Sequence, residues 1–356
     1  MDRWRLALVA LGVMAWLGMV PIPPAAADPV GPTNYRSRVL SVSPTPTNGV
    51  VVEILGGDAF VRLQIPRGHT ATVPDYSTSD GAGPYLRFDA DGTVRRNANA
   101  VATIINRSRS GPTGEAAPSQ RTSRWDVVSS DGSYQWHDHR IHLMGKARAW
   151  TGDDHRIDMG GPDGTWEIPL VIDGRASTIT GELVHVPPPP SWLWWSLVPL
   201  MAVLIALVDR RRPAGLDDGT DPTAITAVLV SLASLTVGWA SRAGLPAEAA
   251  PGWPILAVPA VALVASLALA GPARSRPLPR RVATAAIVAT LGSWAWLRRA
   301  VLTASIVPTT LPPSLDRGVT AAALGLAVGL TVGLVSGPPR RVVADPQRSV
   351  APAAPA

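Results

Sequence analysis

Cysteine is absent from the 356 residues, so the chain can close no disulfide and offers no thiolate to a metal. Histidine is scarce, with six, and the apolar runs of the C-terminal half contain no Asp, Glu, Lys or His between their interfacial ends. Ionisable groups inside a bilayer are costly and usually mark proton or ion pathways, so their absence argues against an autonomous proton-coupled transporter or an intramembrane metal conduit. Neither Gly-x-Ser-x-Gly nor His-Glu-x-x-His occurs, which leaves hydrolytic chemistry without an anchor, and no enzymatic activity is expected. The net charge of +6 calls for no nucleic-acid partner, because much of it sits in loops between apolar segments.

What is present divides the chain into two parts. Residues 1–27 carry Arg3 and Arg5, an apolar run from Leu6 to Val20 and then Ala25-Ala26-Ala27, the order of a secretory signal peptide with cleavage after Ala27. A retained first membrane helix is the alternative, disfavoured because the run is shorter than the roughly 20 residues a span needs. Residues 28–186 are polar enough for a soluble exported domain, and Pro187–Pro190 begins a stiff linker, 187–191. Five apolar segments then fill a membrane domain, 192–337, at about 192–208, 223–240, 253–271, 282–297 and 318–336, ahead of a tail at 338–356. The fourth is cut short by Arg298 and Arg299.

Arginines cluster in alternate loops, at Arg210–Arg212, at Arg274, Arg276, Arg280 and Arg281, and at Arg340 and Arg341. The positive-inside rule makes those loops cytoplasmic. Trp192, Trp194, Trp195, Trp239, Trp253, Trp294 and Trp296 fall at the opposite helix ends, as an outer aromatic belt would. The expected location is the cytoplasmic membrane, crossed several times in the lipid bilayer, with the N-terminal domain outside and the C-terminus inside. In the last span Gly325, Gly329, Gly333 and Gly337 recur every fourth residue on one face. Two readings fit, close packing within the chain or a docking face for another membrane or envelope protein.

The exported part reads as β. Short segments rich in β-branched and aromatic residues occur at Tyr35–Val42, Val50–Leu55, Phe60–Ile65, Tyr85–Phe88, Ala100–Ile105, Trp125–Val128, Tyr134–Leu143, Thr165–Ile172 and Ala176–Val186. Asp173-Gly174 predicts a tight hairpin between the last two. The expected fold is a β-sandwich, with an immunoglobulin-like layout as one option, followed by an all-α domain of about five helices. Arg107–Arg124 reads as a long loop, and Asn106-Arg107-Ser108 matches a glycosylation acceptor.

Chemistry concentrates in Trp136–Met144, which holds His137, His139, His142 and Met144. Imidazole and thioether are the ligands copper prefers, with zinc next for such a set. Strand alternation places His137 and His139 on one face, so His142 and Met144 join them only if a bulge or turn follows Arg140. Otherwise a third ligand comes from His69, His155 or Met159. Asp138 and Arg140 would form a surface ion pair of little value. The competing reading is structural, with histidines hydrogen-bonding across strands, and for the isolated His69 and His185 it is preferred.

The start Asp28–Arg36, Gly56-Gly57-Asp58-Ala59-Phe60, Pro84–Phe88 and Trp136–Met144 together resemble uncharacterised actinobacterial membrane proteins with an exported β domain and a multi-pass C-terminal half. That resemblance implies architecture and brings no activity. The leading expectation is a non-enzymatic membrane protein whose exported domain binds a ligand, copper above others, for delivery or sensing. A structural protein of the envelope and an accessory transporter subunit are the alternatives.

Overall fold

The computed structural model describes residues 30–336 apart from 47–48, 77–82, 107–121, 144–153, 211–220, 247–250, 272 and 274. The signal segment, the tail, Gly337, Met144 and the arginines at 211, 212, 274, 340 and 341 lie outside the described residues. An antiparallel β region is followed by a helical C-terminal half.

The strands are β1 (Tyr35–Ser43), β2 (Val51–Leu55), β3 (Phe60–Gln64), β4 (Ala71–Val73), β5 (Leu86–Phe88), β6 (Val94–Asn97), β7 (Trp125–Ser129), β8 (Ser133–His137), β9 (Arg156–Ile157), β10 (Trp166–Ile172) and β11 (Arg175–His185). One sheet runs β1-β11-β10-β4-β5-β6-β7 with β9 also on β11, and a second runs β2-β3-β8. This eight-and-three division differs from the four-and-three division of an immunoglobulin constant layout. Leu86, Phe88, Ile168, Leu170, Ile179 and Leu183 of the larger sheet share a core with Val61, Leu63, Tyr134 and Trp136 of the smaller. Each such side chain, fully buried, contributes about 1.5–3 kcal/mol, and without disulfides this core carries the stability of the region. The β10–β11 turn has φ of 49° at Asp173 and 75° at Gly174, both in the left-handed region that a two-residue hairpin requires.

Strands β4, β6 and β9 lie outside the expected set, and two of the expected strands come out differently. Ala100–Ile105 is no strand but a short helix, α1 (Val101–Ile105), whose first two amides donate to the Asp75 carboxylate at 2.7 Å each. An apolar run this short has no decisive period, and the capping group lies 26 residues upstream. The strand expected over Tyr134–Leu143 stops at His137.

The helical half comprises α2 (Ser191–Arg210), α3 (Pro222–Ala243), α4 (Pro254–Ala270), α5 (Pro277–Leu297) and α6 (Pro313–Ser336). Proline opens the last four, where its missing N–H costs nothing. Three stretches, Ser191–Asp209, Pro222–Ala243 and Pro313–Ser336, are long and apolar enough to cross a membrane. The helix α4 is apolar but only 17 residues long, and α5 carries Arg280 and Arg281 in its first turns. Because α6 starts at Pro313 and not at Gly318, it takes in Asp316 and Arg317, both buried. Arg298 donates to both Asp316 oxygens at 2.7–2.8 Å, so an acidic residue does lie within a helix. Trp294 also departs from the expected belt, being buried with its indole N–H on the Ile255 carbonyl at 3.0 Å.

The β region is stitched to the helices by more than the proline linker. Thr33 and Ile306 exchange backbone hydrogen bonds at 3.0 Å, and the Ser305 amide donates to Asn34 Oδ1 at 2.8 Å. The Ser305 hydroxyl lies 2.7 Å from the Val186 and Pro187 carbonyls. Just beyond α3, Leu245 packs with Val30, Ala59 and Phe60.

Of the glycine face, Gly325, Gly329 and Gly333 abut α2 of the same chain. A Cβ on Gly329 would sit 2.7 Å from the Ala202 carbonyl oxygen and 2.8 Å from the Ile205 Cβ. Gly329→Ala is therefore expected to destabilise the helical half by about 1–3 kcal/mol through overpacking. Gly318→Ala, with nothing within 4 Å of the added carbon, should be neutral or slightly stabilising. Thermal unfolding of the two variants in detergent measures the difference, and equal melting would contradict this packing.

Candidate metal centre

The site is built by the end of β8 and the turn after it. Alternation along β8 puts Trp136 into the core and His137 on the opposite face of the sheet, across from Phe60 in the register. Asp138 then leaves the strand and caps a single 3-10 turn over His139–Ile141, accepting from the Arg140 amide at 3.0 Å. Ile141, fully buried in the core, anchors that turn. The turn comes earlier than the expected one after Arg140: it already contains His139, which therefore leaves the strand and does not share a face with His137 by alternation, and it carries His142 back against His137.

The three imidazoles form a compact set. Ring centroids are 5.0 Å apart for His137 and His139, 4.9 Å for His137 and His142, and 5.0 Å for His139 and His142. One ring nitrogen from each lies within 4.8 Å of the others, and the Nε2 atoms of His137 and His142 are 2.9 Å apart. Two imidazole nitrogens at that distance share a proton or a cation. With metal–nitrogen bonds of about 2.0–2.1 Å, 2.9 Å corresponds to an angle of about 90° at the ion. Two ligands of one ion span at most about 4.1 Å, so the 4.8 Å limit closes with a contraction below an ångström. His137 and His142 are buried and His139 is half-buried, so the set is shielded on most sides. The Phe60 ring stands 5.9 Å from that of His137.

The expected surface pair of Asp138 and Arg140 is instead the buried support of the site. Asp138 is fully enclosed and accepts from Trp136 Nε1 at 2.8 Å, Tyr76 Oη at 3.0 Å, and Arg140 Nε and Nη2 at 2.8 and 2.7 Å. Burial alone would raise its pKa. The Arg140 guanidinium and these hydrogen bonds outweigh burial and hold the carboxyl down at about 2. Tyr76 is pushed upward by burial and by the Asp138 charge, so it stays a neutral phenol. Its oxygen accepts from the His139 amide at 2.9 Å while contacting Asn106 Oδ1 at 2.7 Å, and the Arg140 guanidinium lies 4.8 Å over its ring. The histidine segment is thereby braced from distant parts of the chain. Nothing in the sequence pattern ties Tyr76, Asn106 or Phe60 to the histidines, because only the folded sheets bring them to the segment.

The other candidate ligands are engaged elsewhere. His69 Nδ1 meets Asp173 Oδ2 at 2.7 Å. His155 stacks on His185 with centroids 6.2 Å apart, and Tyr35 lies edge-on to His185 at 5.6 Å. Burial and the neighbouring His155 lower the His185 pKa. Met159 packs against the β core. Among the described residues, His137, His139 and His142 are the one group of three or more such side chains with converging ligand atoms.

Asp138→Ala leaves Arg140 without its partner and is expected to cost about 3–5 kcal/mol in chemical unfolding. The sign of the pH dependence follows from a depressed carboxyl. Asp138 stabilisation is complete above the ordinary carboxylate range near pH 4 and lost as pH falls toward about 2, so Asp138→Asn should flatten the acid limb of a stability profile there. Comparison of the whole chain with protein-family models, curated proteins and solved structures found no match, so the reading of this site rests on its own geometry.

Proposed function

We propose that this chain is a multi-pass membrane protein whose exported β-sandwich holds one late-transition-metal ion, copper in first place, through His137, His139 and His142, for delivery or sensing at the membrane. The single observation that carries the reading is the convergence of three imidazoles on a braced turn, two of them with nitrogens 2.9 Å apart. A nitrogen-only set without thiolate suits Cu(II) or Zn(II). Met144 stands two residues beyond His142 and completes the proposal as a thioether donor that would favour copper.

Binding is favoured over turnover by the state of Asp138. Its oxygens are taken by Trp136, Tyr76 and Arg140, so the carboxylate inside the histidine segment is no general base. The membrane reading takes all five helices as spans, α4 being at the short end and α5 reaching the interfaces with Arg280 and Arg298. Arg280 bridges Asp209 and Asp221 at one end of the bundle. The exposed Trp239 and Trp253 stand at the other, where Leu245 meets the β region. The positive-inside rule makes the latter end external, consistent with a secretory signal at residues 1–27.

Titration of the detergent-solubilised chain with Cu(II) and Zn(II), against a competing chelator, tests the proposal. One ion per chain is expected, with His137→Ala and His142→Ala each weakening binding by at least about ten-fold. Met144→Leu should weaken copper more than zinc. Affinity weaker than micromolar for both ions would reject the metal reading.

A further inference from the structure

The helical half carries a surface groove of a chemistry different from that of the histidine cluster. Helices α3 and α4 approach closely at Gly238, where a Cβ would lie 2.7 Å from the Ile255 carbonyl oxygen. Beside this contact runs a groove of about 580 Å³, walled by Leu235, Leu256, Ala257 and Ala260 and crowned by Trp239 and Trp253. The one hydroxyl in its wall, that of Thr236, donates to the Leu232 carbonyl of its own helix at 3.1 Å. The walls therefore offer nothing to a polar solute and suit an alkyl chain.

The crown is charged. Arg242 lies 4.6 Å over the Trp253 ring and donates from Nη1 to the Pro251 carbonyl. Elsewhere in the bundle, Arg280 and Arg298 are neutralised by Asp221 and Asp316. Among the described residues Arg242 has no carboxylate partner, and its stacked guanidinium keeps donors for an oxyanion. Alkyl wall, indole pair and cation follow one another toward the β-domain end, in the order of acyl chain, interface and phosphate in an outer-leaflet lipid. Trp239 and Trp253 are 65% and 69% exposed, as a belt contacting lipid requires.

We infer that this groove is a binding site for one anionic phospholipid, its acyl chain between α3 and α4 and its phosphate on Arg242. The inference rests on the membrane reading of the helices and is independent of the metal site.

Native mass spectrometry of the full chain, released from micelles doped with phosphatidylglycerol or phosphatidylcholine, reads the number of lipids retained. One phosphatidylglycerol should be held in preference to phosphatidylcholine by about five-fold, roughly what one arginine contributes at an anionic surface. Arg242→Gln should abolish the preference, and Ala260→Trp, which fills the groove, should abolish retention of either lipid. Equal retention of the two lipids by the unmodified chain overturns the inference, as does an Arg242→Gln chain that keeps its preference. A lipid-free dimer would also overturn it by assigning the groove to a second copy, and full displacement by inorganic phosphate would reduce the site to an anion site. A chain that stays monodisperse in buffer without detergent would instead refute the membrane reading itself.

Discussion

A single buried carboxylate, that of Asp138, governs the geometry of the histidine cluster. A charge with no solvent contact is tolerable only when hydrogen bonds and an opposite charge surround it, and Asp138 draws donors from Trp136, Tyr76 and Arg140. Meeting that demand ends β8 and tightens the next residues into a 3-10 turn. Had the strand continued, His137 and His142 would lie on opposite faces and well apart, since a strand advances about 3.3 Å per residue. The imidazole contact is thus a by-product of satisfying the charge that sits between His137 and His139.

A comparable logic holds the two halves of the chain together. Arg298 and Asp316 clamp the end of α5 to the start of α6, and Arg317 donates to the carbonyls of Val301 and Ala304 in the connecting segment. That segment presents Ser305 and Ile306 to Thr33, Asn34 and Val186. Charges that would be costly in an apolar bundle are used to stiffen one of the loops that receive the β region. The proline linker is therefore one of several tethers and not the sole hinge.

Much of this was legible in the sequence, for identifiable reasons. Helices α2, α3 and α6 were readable because long apolar runs bounded by proline, arginine and tryptophan admit few alternatives. The hairpin at Asp173-Gly174 was readable because its turn needs two residues that accept positive φ. The spacing singled out His137 and His139, but the strand alternation invoked for the pair does not hold, since β8 ends at His137; the place of both His139 and His142 hung on a turn whose cause, the enclosure of Asp138, involves Tyr76, 62 residues away. The same dependence on distant partners hid the Asp75 cap on α1 and the Arg298 partner that lets α6 begin at Pro313. Strands β4, β6 and β9 span three, four and two residues, too few for alternation to register.

Phe60 belongs at once to the wall of the histidine cluster and to the seam with the helices. Its ring stands 5.9 Å from that of His137 and also packs with Leu245, and all three residues are nearly inaccessible to water. The β region consequently cannot lift from the bundle without uncovering the Phe60 side of the imidazoles. Parting of the seam and hydration of the cluster form one event, so the fit between the two halves is also the gasket of the site.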